Sequence, residues 1–313
     1  MKRALWLVAK ATLTALLIWW VARSVDVDSI ARTLGGLDAS VLLLALLLTL
    51  SQALLLGWRW HRMVLLLGGA LPPANAMRWV FMGLFFNQVL PTSVGGDAAR
   101  VWKLHQSGTS LKFAFGSVMV ERVSGLALMG LMILICLPAV WGHLDNPVLR
   151  AALLITGPTL IAGLMLATLA DKLPLGRLPA RWTQLLLTLC TSLRRIADQP
   201  LALLEVSVLS LLVSLAGFVA AYALGMNLGI DLSLPSYVVL VGGAVLLSVL
   251  PISLGGWGVR ELSMVSLFGA VGVEAERALS LSLVWGVLPL LVSLPGGVLW
   301  WLDGRSVLKA ETP

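Results

Sequence analysis

The sequence predicts an all-α polytopic membrane protein, built as an inverted-topology repeat of about six spanning helices and two re-entrant helical hairpins. Three observations carry this expectation. Of 313 residues, 59% are hydrophobic and only 12% charged, against about 45–50% and about 25% in soluble domains. The apolar residues run in blocks long enough to cross a bilayer as helices, roughly 20 residues each, and lack the polar–apolar alternation of a transmembrane barrel. One motif occurs twice, 160 residues apart.

Six blocks read as spans: 4–22, 39–60, 113–141, 148–170, 200–227 and 277–302. The first has the position of a signal peptide. Lys10 interrupts it, however, and Val21, Ala22 and Arg23 make a poor cleavage site, so an uncleaved anchor is expected. Residues 76–104 and 236–271 are apolar too, but each carries a Pro and a Gly-Gly near its middle, leaving arms short for a full crossing. Each is read as a hairpin that enters and leaves on one side. Residues 182–196 place Trp182, Leu185, Leu186, Leu189, Leu193 and Ile196 on one helical face and polar residues on the other, as in a helix lying on the membrane surface. Residues 26–37 look like a shorter counterpart.

Charge orients the chain. The formal net charge is +7. With the N-terminus inside, fifteen Lys and Arg fall on inner segments and five on outer ones, with Lys10 and Arg122 inside spans. That asymmetry follows the positive-inside rule and predicts a cytoplasmic (inner) membrane protein with both termini cytoplasmic. In this count Arg59 and Arg62 belong to the inner end of span 39–60. The basic excess faces anionic lipid and gives no reason to expect nucleic acid as a partner. Several of the thirteen Trp, including Trp58, Trp60, Trp141, Trp300 and Trp301, sit at segment ends where an interfacial belt is expected. Cys136 and Cys190 read as buried thiols.

The repeat is the most specific signal. Residues 90–100 and 250–260 share L-P-x-S-x-G-G-x-x-x-R. The same offset carries span 39–60 onto 199–220 and span 113–141 onto 273–301. Residues 1–145 and 146–313 are thus two halves, each a span, a surface helix, a span, a hairpin and a span. Three crossings turn the second half upside down. Inverted repeats around broken helices place substrate sites near the midplane.

Within the hairpins, Pro91 and Pro251 are expected at the turns, where they end the entering helix. Gly95 and Gly96, with Gly255 and Gly256, give the turn its freedom. A helix restarting after each pair would point free N–H groups at the cavity, an arrangement suited to phosphate. Ser93 and Ser253 add hydroxyls, and Arg100 and Arg260 add bidentate, charge-assisted contacts. Asp97 and Glu261 are acids beside these arginines, able to restrain them or to take up a coupling proton. Glu121 and Arg122 lie deep in span 113–141, where ionisable groups are costly and mark functional sites. Being adjacent, they face different partners, and Asp97 for Arg122 and Arg100 for Glu121 are the natural pairs. Asn87, Glu121 and Arg122 have no counterpart in the second half, where Leu247, Leu281 and Ser282 stand.

There is no G-x-x-x-x-G-K-[ST], H-E-x-x-H or C-x-x-C, and the three His are far apart. No cofactor and no metal site are expected.

The segments Asn87–Asp97, Arg100, Glu121–Leu126 and Leu250–Glu261 resemble the transmembrane region of lysylphosphatidylglycerol synthases, which also occurs as free-standing flippase-like proteins. The resemblance covers about residues 5–303. It implies translocation of a lipid by this region, the synthase activity belonging to a soluble domain; only about ten residues follow the last span here. Some relatives are linked with polyprenyl-phosphate sugar pathways. The expected function is a non-enzymatic lipid translocator for a phosphate-bearing head group, with an anionic phospholipid or a polyprenyl-phosphate-linked lipid as partner. A separately encoded lipid-modifying enzyme is a further expected partner. The alternatives are a membrane-embedded glycosyl or acyl transferase using Asp97 or Glu121 as base, and a non-catalytic subunit for such an enzyme.

Overall fold

Apolar blocks opened by proline or by a capping side chain become helices. In the computed structural model, which describes residues 35–90, 95–144, 146–169, 180–249 and 256–310 together with Thr12, they are α1 (Ala39–Leu66), α2 (Pro73–Val89), α3 (Gly95–Gln106), α4 (Leu111–Cys136), α5 (Pro138–Trp141), α6 (Pro147–Leu169), α7 (Ala180–Ala197), α8 (Pro200–Asn227), α9 (Leu234–Val249), α10 (Val259–Gly269) and α11 (Ala275–Ala310). Pro73, Pro147 and Pro200 open helices at a position whose N–H has no intrahelical partner. Ser110 caps α4 by accepting from the Phe113 amide at 3.2 Å, and Asn146 caps α6 through the Val148 amide at 2.9 Å.

Among the described residues, five helices are long and apolar enough to cross a membrane: Ala39–Leu66, Leu111–Cys136, Pro147–Leu166, Pro200–Asn227 and Ala275–Asp303. They correspond to five of the six expected spans. The chain is an all-α, multi-pass membrane protein. The expected span 4–22 and most of the outer surface helix 26–37 lie outside the described residues, as do Pro91, Ser93, Pro251, Ser253 and Gly255.

The two broken segments are pairs of short helices. α2 and α3 pack against each other, as do α9 and α10. The 17 residues of α2 and 12 of α3 reach only ~25 Å and ~18 Å, against a hydrocarbon core of ~30 Å. The arms of the first pair approach closely at Gly83 and Gly96, where a Cβ on Gly96 would collide with the Gly83 carbonyl oxygen. Gly96→Ala therefore forces the arms apart. The expected cost is about 1–3 kcal/mol, read as a lower midpoint in detergent unfolding; an unchanged midpoint would show that the arms are loosely held.

The packing interlocks the two parts of the chain. α1 and α8 are neighbours and run antiparallel. Asp38, before α1, exchanges hydrogen bonds of 3.0 Å and 2.9 Å with Asn227 at the end of α8, while Arg62 near the end of α1 pairs with Glu205 near the start of α8. An offset of 160 carries α1 onto 199–226, almost the bounds of α8, and α2 onto 233–249, almost those of α9. α11 packs on α2, and α4 packs on α9. Gly296 and Gly297 bring α11 against the backbone of Phe81 and the ring of Phe85 on α2.

α7 places Cys190, Leu193 and Ile196 inward and leaves Thr191 and Arg195 exposed, as expected for its second half; the side chains of Trp182, Leu185 and Leu186 lie outside the described ones. Trp58, Trp141, Trp300 and Trp301 are exposed, as belt residues are, but Trp60 is fully buried. It sits with Trp79, Met82 and Leu104 in a core beneath α3. The placement of Arg59 and Trp60 at an interfacial end is corrected on this point: α1 runs on through Leu66, so both lie inside the bundle.

Candidate functional site

Five charged side chains meet where α1, α3 and α4 cross. Asp97 and Arg100 are three apart on α3 and therefore share a face. Glu121 lies ten residues into α4, ~15 Å from its start, and is 1% exposed. Arg122, next in sequence, points about 100° away around the helix. Arg59 comes from α1.

They form a chain of alternating sign. Arg59 donates to Glu121 Oε1 from Nε at 3.3 Å and from Nη2 at 3.1 Å. Arg100 Nη2 holds the other oxygen, Oε2. Arg100 Nη1 lies 3.6 Å from Asp97 Oδ1, and Arg122 Nε pairs with Asp97 Oδ2. Each carboxylate thus stands between two guanidiniums. Arg59 Nη1 also donates to Ser210 Oγ on α8 at 3.0 Å, so the chain reaches into the second half. Arg100 stacks on Trp60, its guanidinium carbon 4.3 Å from the ring centre; cation–π contacts strengthen when desolvated. Its Nε is buried and has no hydrogen-bond partner among the described residues.

The energetics follow from burial. Charges removed from water cost several kcal/mol each unless paired, and the alternation supplies the pairing. Among the described residues, the three arginines and two carboxylates of the cluster leave one positive charge. Two of the arginines, Arg59 and Arg122, line a cavity of about 300 Å³ together with Gln52, Glu121, Ser214, Gly217 and Trp285. Its walls come from α1, α4, α8, α9 and α11, so residues before and after position 145 both contribute. α11 contributes Pro289, a proline inside the helix, which frees a backbone carbonyl from the helical ladder.

The structure brings Asp97 to Arg122 and Arg100 to Glu121, the pairs that spacing suggests. It differs at the helix starts. Both were expected to offer free N–H groups to an anion. One amide at each start is taken: the Gly96 amide donates to Asn87 Oδ1 at 2.9 Å, and the Gly258 amide donates to Glu261 Oε2 at 2.6 Å. Asn87 thus caps α3 in the first hairpin, where it has no counterpart. The described part of α3 includes Gly95 and Gly96, whereas α10 begins at Val259, after Gly256 and Gly258 have taken φ of 84° and 82°. A positive φ is accessible mainly to glycine.

The matched arginines also differ. Arg100 is held between Glu121 and Asp97 and does not line the cavity. Arg260 donates to Glu261 Oε1 from Nε at 3.0 Å and from Nη2 at 2.5 Å, with its guanidinium over Trp257. Ser282, at the position matching Arg122, lies 3.5 Å from the same Glu261 oxygen. The second cluster is a neutral pair; the first carries a net positive charge. Arg59, Trp60 and Ser210 are the participants that the spacing of the hairpin motif does not reveal. One signal for Arg59 stands in the sequence: Met63 to Leu67 are all apolar, so the span does not end at residue 60.

Residues 7–297 match the family described as the lysylphosphatidylglycerol synthase TM region. A UPF0104 membrane protein of Pyrococcus horikoshii is 23% identical over 342 aligned positions, covering 100% of both chains. A UPF0104 membrane protein of Methanocaldococcus jannaschii is 31% identical over 106 positions, covering 33% of this chain and 32% of that one. With the family match spanning all the described helices that build the charged cluster, the chain belongs to the lysylphosphatidylglycerol synthase transmembrane-region family.

Proposed function

We propose that the protein is a lipid translocator that moves a phosphate-bearing head group across the cytoplasmic membrane, with both termini on the cytoplasmic side. The observation that carries the reading is the buried cluster with one net positive charge, two of whose arginines face a cavity walled by both halves. A fixed cation in a low-dielectric site attracts an anion strongly, and the planar guanidinium fork suits phosphate. The antiparallel pairing of α1 with α8, helices related by the offset of 160, supports an inverted repeat of residues 1–145 and 146–313. Such a repeat lets one site be approached from either face.

The substrate is a phosphate-bearing lipid, either an anionic phospholipid or a polyprenyl-phosphate-linked lipid. Arg59 and Arg122 are its contacts, Arg100 holds the carboxylates in place, and Arg260 offers the second position along the path. A transferase reading finds less support, because Asp97 and Glu121 are both occupied by arginines and neither is placed as a base. The test is reconstitution in liposomes with head-group-labelled phosphatidylglycerol, a polyprenyl phosphate and a glucosyl diacylglycerol of matched chains. Faster inversion of the two phosphate lipids than in protein-free liposomes is expected. Protein-free rates for both would remove the translocator reading.

A further inference from the structure

Two apolar grooves flank the central cavity. The first, about 310 Å³, runs between α4 and α8, with α6 as a further wall and α7 closing one end. The second, about 360 Å³, runs between α1 and α11. They are the same groove repeated. Moving Ala127, Leu131 and Leu203 of the first groove by 160 positions gives Val287, Leu291 and Leu43 of the second, and six of the eight residues described along the second groove are matched in this way. A repeat that merely packed its core would fill such a seam. Here both copies leave it open, at the same place.

Each groove also has an apolar mouth. Leu131 and Leu203 are 37% and 46% exposed at the first, Leu43 and Val287 57% and 44% at the second. All four belong to membrane-spanning helices, whose surroundings are acyl chains. The first groove ends at Ser210, whose hydroxyl accepts from Arg59 of the charged cluster. The second shares α11 with the central cavity: Val287 and Leu288 line the groove, Trp285 and Pro289 the cavity. Between them stands Gly286, against which the Arg260 guanidinium rests. The first groove therefore leads from the lipid phase to Ser210 and Arg59, and the second runs along α11 beside Gly286, on which Arg260 rests.

We propose that the two grooves are paired acyl-chain sites, each seating one chain of the transported lipid while its phosphate rests at the neighbouring arginine, Arg59 for the first and Arg260 for the second. The inference rests on the translocator reading for its use of both sites, one from each leaflet. Burying methylenes against protein gains little over burying them in lipid, so the grooves orient the lipid more than they hold it. The affinity comes from the arginine.

The experiment fills each groove. Ala127→Trp and Val287→Trp, at matched positions, are compared with wild type and with Ile155→Trp, a control 60% exposed on α6 outside both grooves. Ser124→Trp and Val284→Trp replace them if either first choice fails to fold. Native mass spectrometry counts the phosphatidylglycerol molecules retained by the purified protein, and liposomes give the initial inversion rate. Two lipids are expected in wild type and in the control, one in each single variant and none in the double, with inversion slowed by about tenfold or more. If wild type fails to invert any lipid but the counts fall as stated, the grooves stand and the translocator reading fails. Folded variants that retain the wild-type count overturn the groove assignment. So does a wild-type dimer that the Trp variants split with no lipid lost, which would make the grooves an interface between copies.

Discussion

Glu121→Ala is expected to destabilise the protein more than any other single change in the charged cluster. The carboxylate is 1% exposed and holds Arg59 on one oxygen and Arg100 on the other. Its removal leaves two guanidiniums facing each other in a low-dielectric interior, a loss of about 3–5 kcal/mol for one broken buried pair. Most of the protein should leave the folded peak in size-exclusion chromatography, or unfold at much lower denaturant. The double variant Arg59→Met/Glu121→Met tells pairing from packing. It removes one charge of each sign, leaves Arg100 and Arg122 with Asp97, and keeps the net charge of the cluster. Replacing a whole buried pair by apolar side chains is often neutral or stabilising. The folded yield should therefore return, while inversion of phosphatidylglycerol stays slow for lack of Arg59. A double variant as unstable as Glu121→Ala would show that Arg59 is held for its shape.

Arg122→Ala is the second large effect, and it falls on transport. The side chain is 29% exposed, lines the cavity, and is paired with Asp97, which Arg100 still reaches at 3.6 Å when Arg122 is gone. The fold should survive, because Asp97 keeps one cation. The cluster loses its excess charge and becomes neutral. Losing one charged hydrogen bond to a phosphate costs about 1.5–3 kcal/mol, or roughly 10- to 150-fold in affinity. Inversion at sub-saturating lipid should fall by a comparable factor, and Arg122→Lys should recover only part of it, since an ammonium lacks the planar fork.

Much of this arrangement is legible in the sequence, for identifiable reasons. The positions of the five described spans follow from apolar length, though the end of α1 does not, and Pro73, Pro147 and Pro200 stand at helix starts. The hairpins follow from Gly-Gly pairs set in arms too short to cross. The pairing of Asp97 with Arg122 and of Arg100 with Glu121 follows from helical geometry alone: residues three apart share a face, and adjacent residues diverge. Arg59 does not follow. It stands among Trp58, Trp60, His61 and Arg62, a cluster with the composition of a membrane interface, and only the course of α1 through Leu66 puts it in the interior. Trp60 is misplaced for the same reason. The capping of α3 by Asn87 is a contact over nine residues between two helices, which no helical period encodes. The asymmetry between the hairpins is half legible. That the second half lacks Glu121 and Arg122 is plain from Leu281 and Ser282; that Glu261 then folds back on both Arg260 and the Gly258 amide is a matter of three-dimensional proximity.

That asymmetry changes how the two repeats would share the work. With a neutral Arg260–Glu261 pair on one side and a positive cluster on the other, the proposed lipid sites are unequal, the first holding an anionic head group more tightly than the second. On the proposed function, a lipid would be held at Arg59 and Arg122, and would meet at Arg260 a cation already engaged by Glu261. Release from the second position is then easier than from the first.

On the proposed function, the buried excess charge receives a lipid phosphate. The most direct test is a ratio: the initial inversion rate of phosphatidylglycerol divided by that of a glucosyl diacylglycerol with the same chains, in wild type and in Arg122→Ala at equal protein density. A ratio well above one is expected in wild type, collapsing by roughly 10-fold or more in the variant, with the glucosyl lipid unaffected. The same ratio in both proteins would contradict it.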